Sequence, residues 1–95
     1  MPYIQKAERP RYDGLIEQVV ESLVEKFPGE NGKDFSEGDL NYIISSIVWK
    51  LFDKSPSYRM ANKLTGVIQC VQSEFYRRKV SKLEDIKIIE NGDIF

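Results

Sequence analysis

The sequence predicts a mainly α chain: three helices packed as a small three-helix bundle, with an extended N-terminal arm and a C-terminal tail or short hairpin. Three observations predict it. Apolar residues recur at helical spacing over 13–27, 38–53 and 58–79. Pro28-Gly29 and Ser55-Pro56-Ser57 break the chain between those stretches. A length of 95 residues with 41% hydrophobic and 12% aromatic content suits one small folded domain, 1–95, rather than a disordered chain.

Residues 1–12 are polar and punctuated by Pro2 and Pro10, and read as an extended arm. The first helix is expected to begin at Asp13, a good N-cap. Leu15, Ile16, Val19, Val20, Leu23, Val24 and Phe27 give it one apolar face, with Glu17, Glu21 and Glu25 almost opposite. Residues 28–37 form a loop rich in Gly, Asn and Asp. Ser36-x-x-Asp39, a capping box with Asp in place of Glu or Gln, opens the second helix. Its core face is Leu40, Ile43, Ile44, Ile47, Val48, Leu51 and Phe52. Tyr42, Ser45, Ser46 and Trp49 fall together on another side, at i, i+3, i+4 and i+7.

The third helix, 58–79, has its core stripe at Met60, Ala61, Leu64, Val67, Ile68, Val71 and Phe75. Its other flank is small or neutral: Asn62, Thr65, Gly66, Gln69, Gln72, Ser73 and Tyr76. Gly66 costs about 1 kcal/mol against Ala inside a helix, so close approach of another backbone is its expected reason. Beyond Arg77-Arg78-Lys79 the helical pattern fades. Ile86-Lys87-Ile88 alternates and Asn91-Gly92 is a hairpin signal. The tail 80–95 therefore reads as extended, docked on the body or paired with another strand such as the Tyr3-Ile4 arm.

The placement of charge carries the functional argument. Asp, Glu, Lys and Arg make up 31% of the chain, yet none lies between Asp39 and Lys50, or between Lys63 and Glu74. Two helices with uncharged outer faces are expected to be covered by protein on more than one side, which points to an oligomer or a binding surface. Residues 1–57 carry net −3, residues 58–82 net +5 and residues 83–95 net −3. Arg77 or Arg78 is expected to pair with Asp93 or the Phe95 carboxylate, in its own chain or a neighbour's.

Several function classes lose their chemistry here. Without histidine there is no Ser–His or Cys–His nucleophile and no usual transition-metal site. Cys70, the lone cysteine, reads as a small core residue that fits a reducing compartment. Asp39, Asn41 and Tyr42 could ligate a cation or substrate, but Asp39 is more simply an acid favouring a helix N-terminus. The stripe of Glu17, Glu21 and Glu25 lacks converging carboxylates on the other helices, which a Mg²⁺-dependent pyrophosphatase requires. Neither cofactor nor metal is expected. No apolar run approaches the roughly 20 residues that span a bilayer. The stretch from Met1 to Lys6 has no signal-peptide core, so the expected location is cytoplasmic and off the membrane.

Met1-Pro2-Tyr3-Ile4, Gly38-Asp39-Leu40-Asn41-Tyr42, Cys70-x-x-x-Glu74-Phe75-Tyr76-Arg77-Arg78 and Glu84-Asp85-x-Lys87-Ile88-x-Glu90-Asn91-Gly92-Asp93 occur in this order. In these segments the chain resembles a family of small uncharacterised proteins of microbes and their viruses, over nearly its full length. The resemblance implies no activity. Two departures are a longer loop at 28–37, and Lys82-Leu83 where a Pro-Tyr pair is expected before Glu84-Asp85.

The sequence thus points to a non-enzymatic helical interaction module that self-associates, as a homodimer, through helices two and three. Tyr42, Ser46, Trp49, Gly66, Gln69 and Tyr76 are the expected recognition residues, with Arg77, Arg78 and Asp93 in anion or tail pairing. A different protein partner is another occupant these faces admit, and the N-terminal arm or C-terminal tail of the same chain could equally cover Tyr42, Ser46 and Trp49. The alternative of a different class is a small nucleic-acid-binding or viral accessory protein using the block Arg77, Arg78, Lys79 and Lys82. It is disfavoured by a pI near 5.5 and by a third helix whose middle offers only neutral Asn62, Gln69 and Gln72 to read bases.

Overall fold

The computed structural model of the chain describes residues 3–95. Helix α1 spans Pro10–Lys26, α2 Glu37–Lys54, α3 Tyr58–Phe75 and α4 Ser81–Asn91. A single 3-10 turn, Lys6–Glu8, precedes α1, and a π-helical segment, Tyr76–Val80, joins α3 to α4. The chain is mainly α, as expected, and no strand occurs among the described residues. It divides into two compact units that meet between Asp53 and Lys54 in sequence.

In the first unit α1 begins earlier than the expected Asp13. Pro10 occupies the first turn, where its missing N–H costs nothing and its fixed φ suits a helix. Asp13 is then an acid of the first turn, favoured by the helix dipole, and not the cap. The expected extended arm is correspondingly short: helical geometry starts at Lys6, and Arg9 Nε ties the segment down by donating to the Ile4 carbonyl at 3.2 Å. Met1 and Pro2 of that arm lie outside the described residues.

The α1–α2 loop is a specified turn. The Asp34 amide donates to the Pro28 carbonyl at 3.0 Å, and the Lys33 amide to Asn31 Oδ1 at 3.1 Å. Gly29 has φ +67°, and a Cβ there would come within 2.6 Å of Asp34 Cβ, so both backbone and space demand glycine. Beyond the loop, Ser36 accepts the Leu40 amide at 3.2 Å and α2 begins. The Asp39 carboxylate reaches Lys26 Nζ at 2.8 Å. That pair joins the last turn of α1 to the first turn of α2, with each charge on the side its own helix dipole favours. Beside it sits Leu23, at 9% exposure the one buried hydrophobic side chain among the described residues. Val19 and Val24 of α1 and Leu40, Ile43, Val48 and Phe52 of α2 are half-buried. Leu15, Ile16, Val20, Ile44, Ile47 and Leu51, all expected in the core, are exposed.

In the second unit Ser57 caps α3 by accepting the Met60 amide on its Oγ at 3.1 Å. From Tyr58 the chain stays helical to Asn91. This corrects the expectation of an extended tail or hairpin from residue 80. Val80, Leu83, Ile86 and Ile89 recur every three residues, and that helical period overrides the short Ile86-Lys87-Ile88 alternation. Asn91-Gly92 ends a helix instead of turning a hairpin. Gly92 has φ +86° and ψ 149°, a conformation nearly confined to glycine, and its amide donates to the Ile88 carbonyl at 2.8 Å.

The π segment has a visible cause and effect. The Ser81 amide donates to the Tyr76 carbonyl, five residues back. A turn closed over five residues takes in about one residue more than an α turn. Phe75 and Val80, five apart, would lie on different sides of an uninterrupted α-helix. The wider turn brings them toward one line, so the stripe of Met60, Leu64, Val67, Val71 and Phe75 continues into Val80, Leu83 and Ile86.

Candidate interaction surfaces

On α2, Tyr42, Ser45, Ser46, Trp49, Lys50 and Asp53 line one open depression. Helical spacing alone brings them together, as the sequence predicts. Ser45 Oγ donates to Asn41 Oδ1 at 2.9 Å, which fixes the hydroxyl along the helix. Tyr42 is 74% exposed and Trp49 67%. Tyr42 also borders a second depression, formed with Ser22, Leu23 and Lys26 of α1 and Asp39 and Ile43 of α2. An open aromatic surface with hydroxyls between the rings and one charge of each sign at its edge is suited to contact with another surface.

On the flank of α3, the close approach expected at Gly66 is not made among the described residues. A Cβ built on Gly66 meets nothing within 4 Å, so no neighbour in the chain calls for glycine there. Gln69 is exposed on the same helix. Cys70 is a free, half-buried thiol.

The basic block is arranged differently from the expectation. Arg77 Nη2 donates to both carboxylate oxygens of Glu74, at 3.1 and 3.0 Å. Because α4 continues the helix, Asn91 lies roughly 20 Å along the run from Arg77 at about 1.5 Å per residue. Pairing of Arg77 with Asp93 of its own chain is therefore excluded, and Asp93 Oδ1 instead accepts the Ile94 amide at 2.6 Å. Arg78 makes no ion pair among the described residues.

Two contacts near this block escape the sequence. Tyr76 donates its hydroxyl to Glu84 Oε2 at 2.8 Å. That hydrogen bond, then the Glu84 charge, partial desolvation and the Asp85 charge, hold the phenol above its ordinary value. Ser81 Oγ donates to the Arg77 carbonyl at 2.8 Å. Both depend on the helix running past residue 79, so only the three-residue period of Val80, Leu83 and Ile86 could have signalled them.

No group of His, Cys, Asp or Glu among the described residues could hold a metal ion. Among the described residues no helix is long and apolar enough to cross a membrane. A family model described as Domain of unknown function (DUF6899) matches residues 1–94. No curated protein and no solved structure matches the chain.

Proposed function

The chain belongs to this family of unknown function, and we propose that it is a non-enzymatic helical interaction module that self-associates through α2 and α3. One observation carries the reading. The second unit is a single helical run with no second element of its own, yet Val67, Ile68, Val71, Phe75, Leu83 and Ile86 are all exposed along it. Apolar surface of that extent on a soluble helix marks an association site. The exposed rings of Tyr42 and Trp49 give α2 the residue types that dominate binding energy once buried. The single thiol and the absence of a membrane-spanning helix favour the cytoplasm, a reducing compartment.

The nucleic-acid alternative is weaker. Glu74 neutralises Arg77, and Arg78, Lys79 and Lys82 make no ion pair among the described residues.

Light scattering after size exclusion, at low and high salt, tests self-association. The expected result is a salt-resistant dimer whose mass falls when Trp49→Ala or Tyr42→Ala is introduced. A folded monomer at every concentration would overturn it. Salt-sensitive retention on DNA or RNA, lost in Arg77→Ala/Arg78→Ala, would favour the alternative instead.

A further inference from the structure

We propose that the helical run from Tyr58 to Asn91 pairs with a second copy in antiparallel orientation. This rests on the self-association reading and adds the direction of the partner helix.

The charges of the run oppose its own dipole. An isolated helix favours acids in its first turn and bases in its last. Here the first turn of α3 holds Arg59 and no acid, and Lys63 follows one turn later. The last turn of α4 has no base and carries Glu90, which Lys87 pairs at 3.2 Å; Glu84 and Asp85 lie before them, so this end of the run is net negative. Arg59, Lys63 and Asp85 make no ion pair among the described residues. The pattern suits a partner running the opposite way, which sets each positive end against a negative one and each dipole against its reverse.

The middle of the run makes the same choice. Parallel, in-register pairing stacks Arg77, Arg78, Lys79 and Lys82 on the identical set, and Glu84-Asp85 on theirs. Like charges in that position cost affinity. Antiparallel pairing about the centre of the run, near Glu74 and Phe75, places Arg77–Lys82 of one copy along residues 67–72 of the other. Those residues lie inside the uncharged stretch between Lys63 and Glu74. The empty stretch and the crowded block are then two halves of one arrangement. The π segment fits this too, because it keeps the apolar stripe on one side from Met60 to Ile86, and a partner of full length needs an uninterrupted stripe.

Crosslinking of the full chain tests orientation. In a Cys70→Ser background, Leu64→Cys and Ile86→Cys, both on the stripe, are made as separate variants, oxidised alone and as a mixture, with the mass of each measured first by light scattering. The expected result is a disulfide dimer in the mixture, linking position 64 to position 86, and little in either variant alone. Crosslinking of each variant with itself overturns the antiparallel orientation and leaves self-association intact. A monomeric mass before oxidation overturns both.

Charge reversal gives a second readout. Arg59→Glu/Lys63→Glu is expected to weaken the dimer roughly tenfold, about 1.4 kcal/mol. Adding Asp85→Lys/Glu90→Lys in the same chain is expected to restore it. A combined variant that stays as weak as the first, or weaker, overturns the proposal.

Discussion

The Ser81 hydroxyl donates to the Arg77 carbonyl at 2.8 Å, on the acceptor that an α-helical Ser81 amide would use. That amide is engaged one residue further back, on Tyr76. One side chain thus satisfies the backbone acceptor that its own amide gives up in the wider turn. Ser81→Ala leaves the Arg77 carbonyl to water. The expected cost is about 0.5–1 kcal/mol, seen in urea unfolding and in faster amide exchange over Tyr76–Ser81. Unchanged exchange there would mean that the hydroxyl does not hold the turn.

Tyr76 and Glu84 make the junction sensitive to pH at the alkaline end. The folded phenol titrates above its ordinary value of 10.0, chiefly because its proton is shared with Glu84. A group whose folded value is raised contributes stability that is complete below the unfolded value and lost as pH rises through the folded one. Wild type is therefore expected to hold α4 better than Tyr76→Phe from neutral pH up to about 10, with the difference closing above the folded value. Phenolate absorbance checks the assignment: the substitution should remove the highest-titrating component. A difference that persists unchanged at strongly alkaline pH would count against the hydrogen bond.

Gly66 separates a free helix face from one that meets another copy. Apart from its own turns of helix, nothing among the described residues lies within 4 Å of an added Cβ. In a monomer, Gly66→Ala should therefore stabilise the helix by about 1 kcal/mol. If the flank is an interface, the same methyl hinders close approach. The expected outcome is higher helicity at high dilution together with a lower dimer fraction at high concentration, by circular dichroism and light scattering on one sample series. A gain in helicity with no loss of mass would remove Gly66 from the interface.

The three long helices are legible in the sequence because each carries its own apolar period, and the first two end at a breaker. Pro28-Gly29 and Ser55-Pro56-Ser57 set two of those ends to within a few residues. The start of α1 was missed because Pro10 reads equally as the end of an arm and as a first-turn residue. The tail was missed because Ile86-Lys87-Ile88 and Asn91-Gly92 fit a strand and turn as well as a helix and its stop. Only the longer series Val80, Leu83, Ile86, Ile89 decides between them. Of the candidate sites, Tyr42, Ser46 and Trp49 were readable because one helix places them. Arg77 found Glu74, one turn back inside the expected third helix, and not Asp93, which helix continuity carries out of reach. The limited burial has a simpler source: the second unit is one helix, and one helix encloses nothing.

Removing a single residue from Tyr76–Val80 shows what the wide turn absorbs. The shortened chain can close an ordinary α turn, and Phe75 and Val80, then four apart, share one side of a plain α-helix. Tightening the turn at constant length does the opposite. Every residue from Ser81 onward is then turned by about 100° around the axis. Leu83 and Ile86 face a quarter-turn or more away from Val71 and Phe75, and Glu84 loses Tyr76. The junction acts as a rotational setting for the last third of the run. A switch between its wide and its ordinary turn is silent in the spectrum of the helix and decisive for which side of α4 any neighbour meets.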